Sequence, residues 1–127
     1  MIEIKAILLI ALFHWINDFI CQDEKWALGK SSNLSDLLTH TAVYSVLWFI
    51  PIMLILDHSI VFTLKFIGIT FIAHTITDFI TSKIVSRKFA RKELGSSIPN
   101  IGAFSWIGFD QFLHYCQLFL TYWYLTK

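Results

Sequence analysis

The stretch IVFTLKFIGITFIAHTITDFITSKIV, residues 60–85, decides how the rest of the chain is read. It exceeds the ~20 predominantly apolar residues that a membrane-spanning helix needs, and backbone polar groups in hydrocarbon must be satisfied within the segment, which selects helix over strand. Inside it stand His74 and Asp78. Four residues apart, they project from one helical face about 6 Å apart along the axis, at ~1.5 Å rise per residue. An aspartate inside such a helix costs at least ~2.5–3.5 kcal/mol on insertion scales, so it is expected to face a bundle interior and pair there.

Three further apolar stretches, residues 4–21, 37–56 and 101–125, carry the same spacing as His14/Asp18, Asp36/His40 and Asp110/His114, with Asp36 alone falling just outside its stretch. Along the chain the order runs His then Asp, Asp then His, His then Asp, Asp then His. In antiparallel helices each reversal of order cancels a reversal of direction. All four histidines then share one layer, and all four aspartates the next. The pattern predicts an all-α fold, an integral membrane antiparallel four-helix bundle with short loops, forming a single domain over residues 1–127. Pro51 should kink the second helix. The breaks are residues 22–35, a tight connection at Asp57-His58-Ser59, and residues 86–100. The last opens with a basic extension of the third helix to about residue 94, stopped by Gly95 and Pro99.

Composition agrees with a membrane domain: 56% of residues are hydrophobic, 17% are aromatic, and the mean hydropathy is +0.63. The net charge of +1 and the lack of an arginine-rich stripe argue against nucleic acid as a partner. Cys21 and Cys116 have no paired spacing, so neither a disulfide framework nor a zinc knuckle is expected, although Cys21 follows Asp18 by three residues. The first apolar stretch is interrupted by His14 and Asp18 and lacks a small-residue cleavage site, so it reads as a retained helix rather than a secretory signal. Lys25, Lys30, Lys83, Arg87, Lys88, Arg91 and Lys92 fall on one side, against Lys5, Lys65 and Lys127 on the other. The positive-inside rule then puts the longer loops in the cytoplasm and both termini outside an inner or cytoplasmic membrane.

No Lys or Arg shares the helix faces of these histidines and aspartates, so a bound divalent cation would answer the charge problem. Neutral imidazole and carboxylate suit Zn, Fe or Mn, and the absence of thiolates favours a zinc centre of catalytic type. His14, Asp18, His40, His74, Asp78, Asp110 and His114 are the candidate ligands for one or two ions, as helical bundles elsewhere hold metals. Gln22, Gln111, Tyr44 and Asp36 could orient them by hydrogen bonds, as could Thr70 and Thr81, for which back-bonding within the helix is the plainer reading. Asp36 follows Ser35 at the start of the second helix and suits N-capping equally well. Asp57 and His58 read as a solvated turn.

The ordered set His14-Trp-Ile-Asn-Asp18-Phe-Ile-Cys-Gln22, His40, His74-Thr-Ile-Thr-Asp78-Phe and Asp110-Gln111-Phe-Leu-His114 resembles domain-of-unknown-function family 3307, small phage and bacterial polytopic membrane proteins. The resemblance spans nearly the whole chain, leaves Asp36 outside the pattern and implies no activity. A looser similarity is to membrane-bound metal-dependent hydrolases and all-helical zinc phospholipases, which implies cleavage of phosphoester or lipid bonds. On that reading Asp18, Asp78 and Asp110 complete the metal sphere, bridge two ions or act as general base. The basic segment and Lys30 would border a cytoplasmic mouth that admits a lipid or lipid-linked substrate. Two other functions fit the same residues. One is metal-ion or proton transport, which in so small a bundle calls for a homo-oligomer; the other is an interaction protein stapled by a structural metal.

Overall fold

The computed structural model describes residues 2–95 and 101–127, and all its regular structure is helical, with no strand among the described residues. Helix α1 (Ile4–Trp15) runs into a π-helical turn (Ile16–Ile20), and α2 (Glu24–Gly29) is a short helix within what the sequence marks only as a polar break. Helix α3 (Leu34–Leu47) is followed by a second π-helical turn (Ile50–Ile55), then α4 (Ile60–Ala90) and α5 (Ala103–Leu125). Helix α4 packs along α5 and α3, α1 packs on α5, and α2 folds against α3.

Local chemistry sets the boundaries. Asn33 caps α3, its side chain accepting the Ser35 N–H at 2.9 Å, so the capping role open to Asp36 is taken by Asn33. Asp36 instead lies buried in the first turn of α3, against Gly29. Pro51 has no N–H to donate and its ring crowds the preceding turn. The break at Trp48 and the π turn around it are the local answer. Helix α4 stops earlier than the basic run suggests, because Lys92 adopts φ 57°. The N–H groups of Lys92 and Glu93 then close on the carbonyls of Phe89 and Lys88, which is the Schellman ending with lysine in the place glycine usually takes. Gly95 lies beyond this stop, and Pro99 falls outside the described residues. His58 is not a freely solvated turn residue: its ring stacks on Phe62 at 3.9 Å and its Nε2 meets the Tyr122 hydroxyl at 2.8 Å.

The distribution of polarity is inverted. His14, His40, His74, His114, Asp18 and Asp78 are buried, while Ile4, Leu8, Leu54, Leu64, Ile72 and Leu120 are exposed on the outside of the four long helical segments. Two stretches, Leu34–Ile55 and Ile60–Ala90, are long and apolar enough to cross a membrane. The buried apolar residues gather at one end, where Ile10, Trp48, Ile52, Phe66 and Leu118 form a cluster. Along α1 and α4 the order is apolar cluster, histidine, aspartate; along α5 it is reversed. The helices therefore bring like residues to like depth.

At Gly29, α2 comes close to the first turn of α3. A Cβ there would run into Asp36 Oδ2 and lie 2.8 Å from Cγ and 3.0 Å from Cβ of the same residue. Gly29→Ala is expected to destabilise the fold by about 1–3 kcal/mol. Asp36→Ala in the same chain should recover part of that loss, as read from unfolding of the purified single and double variants.

Candidate metal centre

Helices α1, α3, α4 and α5 each supply side chains to one buried cluster, and two groups in it have the spacing of metal ligands: Asp18 with His40 and His74, and His74 with Asp78 and His114. In the first, His40 Nε2 lies 3.2 Å from His74 Nε2 and 3.2 Å from Asp18 Oδ1, and the third edge, His74 to Asp18, is 3.6 Å. Bonds of about 2.0–2.1 Å around a tetrahedral zinc would separate ligand atoms by about 3.3 Å. The triangle is thus sized for an ion. Asp18 Oδ1 is also buried without a well-formed hydrogen bond, facing only the imidazole nitrogens of His40 and His74, a setting for a carboxylate oxygen that a cation between them would relieve.

Asp78 is the hub of the cluster. Its carboxylate is 3.2 Å from His40, 3.4 Å from His74 and 3.2 Å from His114, and its Oδ2 accepts from the Lys30 ammonium at 2.9 Å. Lys30 enters from the end of α2, a contribution the helix-face argument misses because the cation comes from a connecting segment. The signal available was the unbalanced count of three carboxylates beside loop lysines. Burial works against the ammonium's charge, yet Asp78 and Asp18 outweigh it and raise the pKa of Lys30 above its ordinary value.

The i, i+4 pairs behave differently according to their backbone. His74/Asp78 and Asp110/His114, both in regular α-helix, make the expected contacts at 3.4 Å and 3.3 Å. Asp18 sits in the π turn, where the wider helix shifts its bearing relative to His14, and its imidazole neighbours are His40 and His74. Asp36 and His40 are not brought together: Asp36 abuts Gly29, and His40 faces Asp18 and Asp78.

His14 has the histidines' depth but another employment. Its Nδ1 is 2.7 Å from the Tyr44 hydroxyl and its Nε2 is 2.7 Å from Gln111 Oε1. With the Gln111 oxygen accepting, His14 Nε2 carries the proton and Nδ1 accepts from Tyr44. Neither nitrogen is left for an ion. Gln111 Nε2 then donates to Asp18 Oδ2 at 3.2 Å and Asp110 Oδ2 at 3.1 Å, so His14 acts through Gln111 to aim two carboxylates. Thr81 Oγ1 lies 2.9 Å from the Thr77 carbonyl and 2.5 Å from Asp110 Oδ1, and its single proton goes to the closer, charged acceptor, Asp110.

The Nδ1 atoms of His74 and His114 are buried without a hydrogen-bond partner. The outer hydrogen bond that usually orients a metal-bound imidazole is replaced for these two by stacking, Tyr44 on His74 at 3.9 Å and His74 on His114 at 4.1 Å. Thr70 bonds Gln117 rather than a member of the cluster, and Cys21 is exposed. Asn17, not singled out in the sequence, is buried beside Asp18 with its Nδ2 unpartnered.

A cavity of about 530 Å³ reaches the cluster at Asp18, Lys30, Asp110 and Gln111. Its walls are largely apolar, from Phe19, Leu28, Val85, Phe89 and Ile107, with Gln22 and Ser82 among them. The side-chain oxygens of Gln22 and Ser82 are buried and unpartnered. It lies on the aspartate side, opposite the apolar cluster.

Over residues 4–127 the chain matches the family model described as protein of unknown function (DUF3307). It belongs to the DUF3307 family. No curated protein and no solved structure matches this DUF3307 chain.

Removing the Tyr44 hydroxyl leaves His14 Nδ1 buried and unsatisfied, at a cost of about 1–3 kcal/mol. Tyr44→Phe should therefore lower stability by that amount in denaturant titration, and the loss should shrink when His14 is also replaced by Phe.

Proposed function

We propose that this DUF3307 protein is an integral membrane metal-binding protein, with its four long helical segments spanning the bilayer, and that it works as a metal-dependent hydrolase. The observation that carries the reading is the triangle of His40 Nε2, His74 Nε2 and the unpartnered Asp18 Oδ1, with a cavity leading to Asp18. The inverted polarity supports the membrane setting, since an aliphatic exterior around a polar interior is stable in hydrocarbon and aggregation-prone in water. The histidine and carboxylate donors suit zinc.

A divalent cation in this centre would lower the pKa of a bound water and polarise the scissile group. The chain's own residues supply the rest. Asp110 stands outside the first ligand triangle, held by Thr81 and Gln111 and lining the cavity, where it can take a proton from the attacking water. Apolar walls beside a polar floor suit an amphiphile, so the substrate class is a lipid or lipid-linked ester or phosphoester. The lysine-rich loops on the cavity side support, by the positive-inside rule, a cavity that opens to the cytoplasm with both termini outside. The apolar cluster beyond the histidines argues against passage of ions through the bundle. The cavity argues against a metal that merely staples the helices.

Purified protein is expected to retain stoichiometric zinc by elemental analysis, and His40→Ala and Asp18→Asn to lose it. Asp110→Asn should keep the metal but reduce turnover of a lipid phosphoester by about 10²–10⁴-fold. Metal-free protein after gentle purification would sink the proposal.

A further inference from the structure

The two ligand groups differ in one respect that the sequence does not reveal. Asp18 Oδ1, in the first, has no hydrogen-bond partner, whereas Asp78, in the second, is already met by a cation, the Lys30 ammonium at 2.9 Å from Oδ2. We infer that Lys30 is a built-in second cation, occupying the carboxylate that a second ion would need, so that the centre holds one metal ion rather than two. This inference rests on the metal-binding reading above.

Charge supports the assignment. Lys30 and one divalent cation oppose the three carboxylates of Asp18, Asp78 and Asp110, and a second divalent ion beside Lys30 would add positive charge to a buried group that cations already meet. Removing Lys30 leaves the Asp78 carboxylate without its ammonium, and a ligand set becomes free.

That set can be named. His74 has one Nε2 lone pair and cannot give it to two ions, so with His74 serving the first, the second must draw on Asp78, His114 and Asp110. His114 Nε2 lies 3.2 Å from Asp78 Oδ1 and 3.3 Å from Asp110 Oδ1, so one imidazole stands between the two carboxylates. Lys30 lines the cavity at the end of α2. Its substitution therefore opens this set from the accessible side without touching a helix of the bundle.

Zinc titration of the purified protein, with bound metal counted after removal of excess, tests the assignment. Wild type and Lys30→Arg, which keeps the charge, are expected to hold one zinc per chain. Lys30→Met is expected to rise to two, and Asp110→Asn in the Lys30→Met background to return to one. Two zinc ions in wild type, or one in a folded Lys30→Met, overturns the inference while leaving the metal centre standing. No zinc in wild type overturns both. Where Lys30→Met does not fold, Lys30→Gln is counted in its place, with the same two outcomes.

Discussion

The constraint on which this structure depends is the burial of three carboxylates among four imidazoles in an otherwise apolar chain. Each charge taken from water costs several kcal/mol unless another meets it, and Asp78 shows how the cost is offset. Its two oxygens collect His40, His74, His114 and Lys30 from four separate elements. That convergence ties α3, α4, α5 and the end of α2 to a common point. Packing of small apolar surfaces alone would leave helices with aliphatic outer faces free to rotate; a shared polar centre specifies their facing.

The same centre divides the interior into two unlike halves. Toward the start of α1, Trp48, Phe66, Ile10 and Leu118 close the bundle with apolar contacts. Toward α2, a cavity reaches Asp18 and Asp110. The polar site is thus closed at one end and open at the other. The hydrogen-bonded strap from Tyr44 through His14 to Gln111 serves this arrangement, because it holds Asp18 and Asp110 in fixed directions with a neutral imidazole that is itself fully satisfied.

Much of the fold was legible in the sequence. Four long apolar stretches became four long helical segments, and the alternating order of His and Asp placed like residues at like depth, as the cluster shows for His40, His74, His114, Asp18, Asp78 and Asp110. The boundaries were less legible. The stop of α4 at Lys92 uses a left-handed conformation in a residue that seldom adopts it, and α2 is too short for any periodicity to announce it. Asp36 has the right spacing from His40 but lies at the first turn of its helix, where Gly29 rather than the bundle axis is its neighbour.

Sequence by itself determined the helical class, the common depth of the clustered histidines and aspartates and the chemistry of their side chains, because period and composition are properties of a single segment. Only the tertiary structure decided which donors meet. A π turn re-aimed Asp18, a strap of hydrogen bonds withdrew His14 from the ligand triangle, and a short helix between α1 and α3 delivered Lys30 to Asp78. Each depends on the rotation of one element against another and on the path of a connecting segment. Those are long-range quantities, and no spacing within one helix contains them.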